Sequence, residues 1–96
     1  MRPHHPERLA GSVARLAAEF LGQHRGEALI TVSGVRLDRS GKAATILLTV
    51  YPDGVETAAL AETRRWRNEL RDFLDVRLRD NPLTHLDFTL DHLTKL

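Results

Sequence analysis

Apolar and polar residues alternate with a period of two along residues 30–37 and again along 43–51, and these two runs set out the chain. In the first, Ile30 and Val32 share one parity and Val35 and Leu37 the other, with Ser33 and Gly34 between them. A strand that keeps one face on a core cannot change parity without an extra residue. A bulge or bend is therefore expected at Ser33-Gly34; the alternative is a plain strand with one irregular alternation. The second run keeps its phase through Ala44, Ile46, Leu48 and Val50, while Leu47 and Tyr51 indicate that its other face is not wholly solvated. The polar stretch Arg39-Ser40-Gly41-Lys42 joins the runs, which predicts a β-hairpin over residues 28–51.

Helical spacing brackets the hairpin. Pro6 suits a first helical turn, and Leu9, Val13, Leu16, Ala17, Phe20 and Leu21 then recur on one stripe, predicting an amphipathic helix to about Gln23. The first five residues lack periodicity and are expected to fray. After the hairpin, Pro52-Asp53-Gly54 signals a turn, Thr57 is placed to cap a helix beginning near Ala58, and Asn81-Pro82 stops the helical pattern after Asp80. In one straight helix Arg67 and Arg77 would fall within or beside the stripe of Leu60, Trp66, Leu70, Phe73, Leu74 and Leu78. Burying an unpaired guanidinium is costly. A break near residues 63–65 is therefore expected, which would turn Arg67 outward and let Arg77 snorkel or bond the last carbonyls. Leu86-Asp87-Phe88-Thr89-Leu90-Asp91 alternates again, predicting a final strand with Leu86, Phe88 and Leu90 inward. The fold class is α+β: helix, strand, strand, broken helix, strand, with a three-stranded sheet carrying its helices on one face.

Composition narrows the function classes. A chain of 96 residues, 42% hydrophobic and 28% charged, fits one soluble domain with a modest core. No apolar run reaches the length of a membrane span and no signal-type segment follows Arg2 and Pro3, so a cytoplasmic location is expected. The absence of cysteine removes disulfides, thiol catalysis and thiolate metal sites. A formal net charge of +1 argues against binding nucleic acid by bulk charge, leaving the distribution of cations as the informative feature. The densest basic stretch is 64–79, diluted by acids.

Several of these stretches resemble ribosome-binding factor A, the small bacterial assembly factor of the 30S subunit. The run from Ile30 to Thr49 is similar to its central hairpin. Arg77-Leu78-Arg79-x-x-Pro82, then Leu86-x-Phe88-x-x-Asp91, resembles its closing motif, and Arg8 with Val13-x-Arg15 its N-terminal segment. The resemblance spans about residues 6–91. It implies a type II KH-like domain, 16S ribosomal RNA in the immature 30S subunit as partner, assistance to late RNA maturation, no cofactor and no catalysis. Leu83-Thr84 stands as a two-residue insertion, Thr63-Arg64-Arg65-Trp66 replaces the small Ala-x-Gly of the family's interhelical kink, and the longer C-terminal tail common in the family does not follow.

The residues themselves supply little classical chemistry. No Gly-x-x-Gly loop is present to clamp a nucleotide backbone. Trp66 occupies a core-type position more than that of a stacking platform. Arg64, Arg65, Arg67, Arg71 and Arg79 are the candidate phosphate contacts, since a guanidinium fork engages phosphate oxygens bidentately. Charge pattern alone favours a solvated face paired with Glu62, Glu69, Asp72 and Asp75; the resemblance favours phosphate for residues 64–71. Arg39 and Lys42, with Arg36, form a second basic group at the hairpin turn. His4-His5 and the set His85, Asp87, Asp91 and His92 lack the convergent third element of a metal site. Asp87 and Asp91 share a strand side without a recognisable nucleophile, and Ser40-Gly41-Lys42 lacks the upstream glycine of a phosphate loop. No enzyme, membrane partner or small-molecule substrate is expected, and a monomer is. The runner-up is a KH-like protein interaction module without an RNA role.

Overall fold

The break in alternation at residues 33–34 has a physical counterpart in the computed structural model, which describes residues 6–24, 26 and 28–91. Strands β1 (Leu29–Leu37) and β2 (Ala43–Tyr51) pair antiparallel, with Val32 opposite Leu48 and Gly34 opposite Leu47. Ser33 is the extra residue. This bulge lets Ile30 and Val32 before it, and Val35 and Leu37 after it, pack against one core. The Ser33 hydroxyl lies 2.8 Å from Asp91 Oδ2 and 3.2 Å from the Leu47 carbonyl, so its single proton pins the bulge to the end of the last strand. Ser33→Ala should lower unfolding free energy by about 1 kcal/mol in denaturant melts, the usual worth of one hydrogen bond. A change near zero would show that the bulge holds without it.

The hairpin turn is built around Asp38. Its carboxylate accepts the Ser40 hydroxyl at 2.9 Å and the Lys42 and Ala43 amides at 3.2 Å, while Gly41 takes the left-handed φ of +73° that the reversal requires. The Ser40 hydroxyl, then the Ala43 amide, hold the Asp38 carboxyl below its ordinary value. A lowered folded-state pKa contributes stability above the unfolded value of about 3.9 and loses it as pH falls through the folded value. Acidification below about pH 4 should therefore lower the protection of the Lys42 and Ala43 amides selectively, measured against their intrinsic exchange rates at each pH. In Asp38→Asn the acid-dependent part of that loss of protection should vanish; its persistence would assign the effect to another group.

Helix α1 (Pro6–Gln23) follows its predicted bounds, and all six stripe residues from Leu9 to Leu21 are buried. The expected fraying of the first five residues lies outside the described ones. A short 3-10 turn (Asp53–Val55) leads into α2 (Glu56–Arg65), with Val55 as N-cap and no side-chain cap. Thr57 is thus inside the first helical turn and does not cap it, because the 3-10 turn starts the coil earlier. The break comes at Trp66 (φ −88°, ψ 7°), followed by α3 (Arg67–Arg77). Thr63 is fully buried and its hydroxyl donates to the Ala59 carbonyl at 2.8 Å, a back-bond of the kind that bends helices. The kink therefore forms without the small Ala-x-Gly.

Helix α3 ends at Arg77, three residues short of the predicted Asp80. Leu78 turns to extended backbone and packs on the core, Asp80 adopts φ +53°, and Asn81 bonds both the Asp75 carboxylate and the Leu83 amide. Leu83, half of the apparent insertion, is itself a buried core residue. Arg77 stays at the surface, its guanidinium 3.6 Å from the centre of the Phe73 ring and donating to the Phe73 carbonyl.

Strand β3 (His85–Leu90) pairs parallel with β2, giving a mixed sheet in the order β1-β2-β3. Parallel neighbours require a long crossover, which the 3-10 turn, α2 and α3 supply. The Lys42 carbonyl accepts the Thr84 and His85 amides at 2.8 and 3.1 Å, fixing the start of β3 against the hairpin turn. The core joins the α1 stripe, Ala44, Ile46 and Leu48 of β2, Leu70 and Leu74 of α3, and Leu83, Leu86 and Phe88. Leu86 and Phe88 point inward as predicted, with Leu90 half-buried. The opposite face of the sheet leaves Leu29 and Tyr51 exposed.

Candidate nucleic-acid interface

Arg64, Arg67 and Arg71 lie three and four residues apart across the break at Trp66, and all three reach the outer edge of β3. Arg64 Nη2 donates to the Phe88 carbonyl at 3.1 Å, Arg67 Nη2 to Asp87 Oδ1 at 3.0 Å, and Arg71 Nη2 to the Thr84 carbonyl at 3.0 Å. The helices descend as the strand ascends, so rising arginine numbers meet falling strand numbers. Arg64 Nε also lies 3.6 Å from Asp87 Oδ1.

This corrects one expectation. The break does keep Arg67 out of the core, yet it directs the side chain onto Asp87 and leaves it only 39% exposed. The cause is positional: β3 runs beside the kink, and its acidic residue is the nearest counter-charge. Of the four acids suggested by local spacing, two are engaged elsewhere, Glu69 near His24 at 3.4 Å and Asp75 with Asn81. Asp87 is the residue that spacing missed. Its place on the outward side of the last strand was legible; that this strand would lie at the sheet edge beside the kink was not.

Asp87 also receives the Phe88 amide at 2.8 Å. Together with Arg64 on the Phe88 carbonyl, this satisfies the outward backbone groups at that point of the edge, which would otherwise be open to strand addition. Each guanidinium uses Nη2 for this anchoring and has no partner for Nη1 among the described residues. The Nε groups of Arg67 and Arg71 are buried without a hydrogen-bond partner among those residues, so the fold leaves part of each guanidinium's donor capacity unused.

The other candidates sit apart from the row to differing degrees. Arg65 is exposed in the last turn of α2, and Arg79 is exposed beyond α3. Arg39 and Lys42 are exposed on the hairpin turn. Lys42 nonetheless adjoins the row: its carbonyl holds the Thr84 amide while Arg71 holds the Thr84 carbonyl. The hairpin turn and the arginines thus border one continuous edge. Trp66 is half-buried against the core and 4.9 Å from the His24 ring.

Asp87 and Asp91 do not form a carboxylate pair, since one turns to the arginines and the other to Ser33. His85 Nδ1 lies 3.0 Å from the Thr84 hydroxyl. Among the described residues no group of three or more histidine, aspartate or glutamate side chains is arranged to hold a metal ion, and no helix is long and apolar enough to cross a membrane. His92 and His4-His5 lie outside the described residues.

No family model and no curated protein matches the chain. Among solved structures, the crystal structure of ribosome-binding factor A from Thermus thermophilus aligns with a TM-score of 0.76 at 24% identity, over 91% of this chain and 97% of that one. Coordinates of the Thermus thermophilus factor fitted into a cryo-EM map of its complex with the 30S subunit give a TM-score of 0.68 at 25% identity, over 97% of this chain and 98% of that one. The α+β arrangement built here, a bulged hairpin, a helix pair broken at Trp66 and a parallel third strand, is similar in fold to ribosome-binding factor A.

Proposed function

We propose that this chain binds the immature 30S ribosomal subunit in the cytoplasm, contacts its 16S RNA through the arginine row and the adjoining hairpin turn, and assists late maturation without catalysing a reaction. The observation that carries the proposal is the convergence of Arg64, Arg67 and Arg71 on one strand edge with their Nη1 ends unpartnered among the described residues, in a chain whose fold is that of a factor seen on the 30S subunit. Arg65, Arg79, Arg39 and Lys42, exposed outside this row, are further candidate cations.

Such a factor acts through differential affinity. It must hold one RNA conformation more tightly than another, or it shifts nothing. A row of guanidiniums held along one strand edge suits structured RNA, whose phosphates are displayed at set spacings. With a net charge of only +1, binding to unstructured RNA is expected to be weak.

The test is co-sedimentation of the purified chain with immature 30S particles and with free RNA at several salt concentrations. Clear preference for the particles is expected. A wild-type chain that fails to sediment with them would remove the ribosomal assignment and favour a protein interaction module.

A further inference from the structure

We propose that Asp87 sets the selectivity of the arginine row by occupying, in the free protein, the place a phosphate oxygen takes between Arg64 and Arg67. The inference rests on the arginine row being an RNA surface. A single carboxylate oxygen, Oδ1, lies 3.0 Å from Arg67 Nη2 and 3.6 Å from Arg64 Nε, and accepts the Phe88 amide at 2.8 Å. A hydrogen bond from Arg67, another from a backbone N–H and a second guanidinium at ion-pair distance around one anionic oxygen resemble the surroundings in which proteins hold a phosphate. The carboxylate is 58% exposed, so it stands where an incoming ligand approaches.

Two consequences follow from the charge. A lone phosphate meets a site already neutralised, and gains little by displacing an internal anion that has two hydrogen-bond donors and a second guanidinium beside it. An RNA presenting several phosphates can engage the Nη1 ends of Arg64, Arg67 and Arg71 together and offset the repulsion over many contacts. Exposed ion pairs of this kind are weak, so exchanging Asp87 for a phosphate is not prevented. Asp87 thus acts as a positioning residue: it holds the guanidiniums in place and penalises ligands that cannot replace it.

Asp87→Asn tests this directly, because the amide oxygen still accepts the Phe88 N–H and the arginine donors while the charge is gone. Affinity for polyuridine RNA should rise by about fourfold at low salt, the factor a unit charge roughly 5 Å away makes in a water-like dielectric. The slope of log affinity against log salt should steepen by about 0.7, as for one more neutralised phosphate. Binding to immature 30S particles should rise by a smaller factor, so the particle-to-polyuridine preference narrows. In an R64Q/R67Q background the same change should have no effect. Asp87→Ser, also uncharged but shorter, should reproduce the gain, and Asp87→Glu should not; this keeps the test decisive if the asparagine variant melts below the assay temperature.

Unchanged affinity and slope in both uncharged variants, with R64Q/R67Q still weakening binding, would overturn the role of Asp87 and leave the arginine surface standing. Unchanged binding in R64Q/R67Q itself would remove the surface.

Discussion

Phe88→Ala will lower the unfolding free energy by about 3 to 5 kcal/mol, a loss comparable to much of the roughly 5 to 15 kcal/mol that holds a domain of this size together. Phe88 is the largest side chain with no exposure, and it sits in the centre of a six-residue edge strand paired on one side only. Truncation leaves a cavity facing the shared core of α1, α3 and β2, and no neighbouring strand can follow the collapse from the outer side. The same residue supplies the backbone amide and carbonyl held by Asp87 and Arg64, so a loosened β3 also unsettles the arginine row. Guanidinium melts should show the midpoint falling with the slope unchanged. Val76→Ala, at a position 82% exposed on α3, should stay within about 0.5 kcal/mol. Equal losses at the two sites would mean that the core is not where the packing places it.

The same strand shows what the sequence could and could not convey. Alternation with a period of two is rigid, so the shift between Val32 and Val35 could only be absorbed by an extra residue, and the bulge at Ser33 was legible from parity alone. The awkward place of Arg67 on a straight helix likewise located the kink to within a residue. Strand order was different in kind: the pattern of β3 states which side chains face inward and says nothing of its neighbour or direction. The end of α3 was misplaced because Leu78 looks like one more stripe residue, while the left-handed turn at Asp80 and the burial of Leu83 are set by where the chain must go next.

The candidate site was half legible for a related reason. Arg64, Arg67 and Arg71 share a helix face by spacing, and the kink preserves that alignment. Their counter-charge does not obey local spacing. Glu62, Glu69, Asp72 and Asp75 are near in sequence, whereas Asp87 lies twenty residues beyond Arg67 and arrives only through the crossover. The arginines therefore serve two ends at once: their Nη2 groups occupy the edge of β3, and their Nη1 groups have no partner among the described residues. A folded chain needs the first, and the proposed function the second.

That double role decides how the row should be tested. Glutamates at positions 64, 67 and 71 would face Asp87 and strip the strand edge, confusing loss of binding with loss of fold. Neutral glutamines are the better choice, with a triple lysine variant beside them that keeps the charge and loses the fork. Each phosphate contact contributes about 0.7 to 0.9 to the slope of log affinity against log salt, so removing three should flatten it by roughly 2 to 3. A fourfold rise in salt should then weaken wild-type binding to immature 30S particles by roughly 20- to 40-fold more than it weakens the glutamine variant. The lysine variant should keep most of the slope, because counterion release depends on charge, while binding less tightly through loss of bidentate geometry. Thermal melts must show all three proteins folded at the assay temperature; the exposed contacts removed are each worth about 1 kcal/mol or less, so this is expected. A glutamine variant that is folded and has the wild-type slope would place the RNA surface elsewhere, with Arg39 and Lys42 on the hairpin turn the next positions to neutralise.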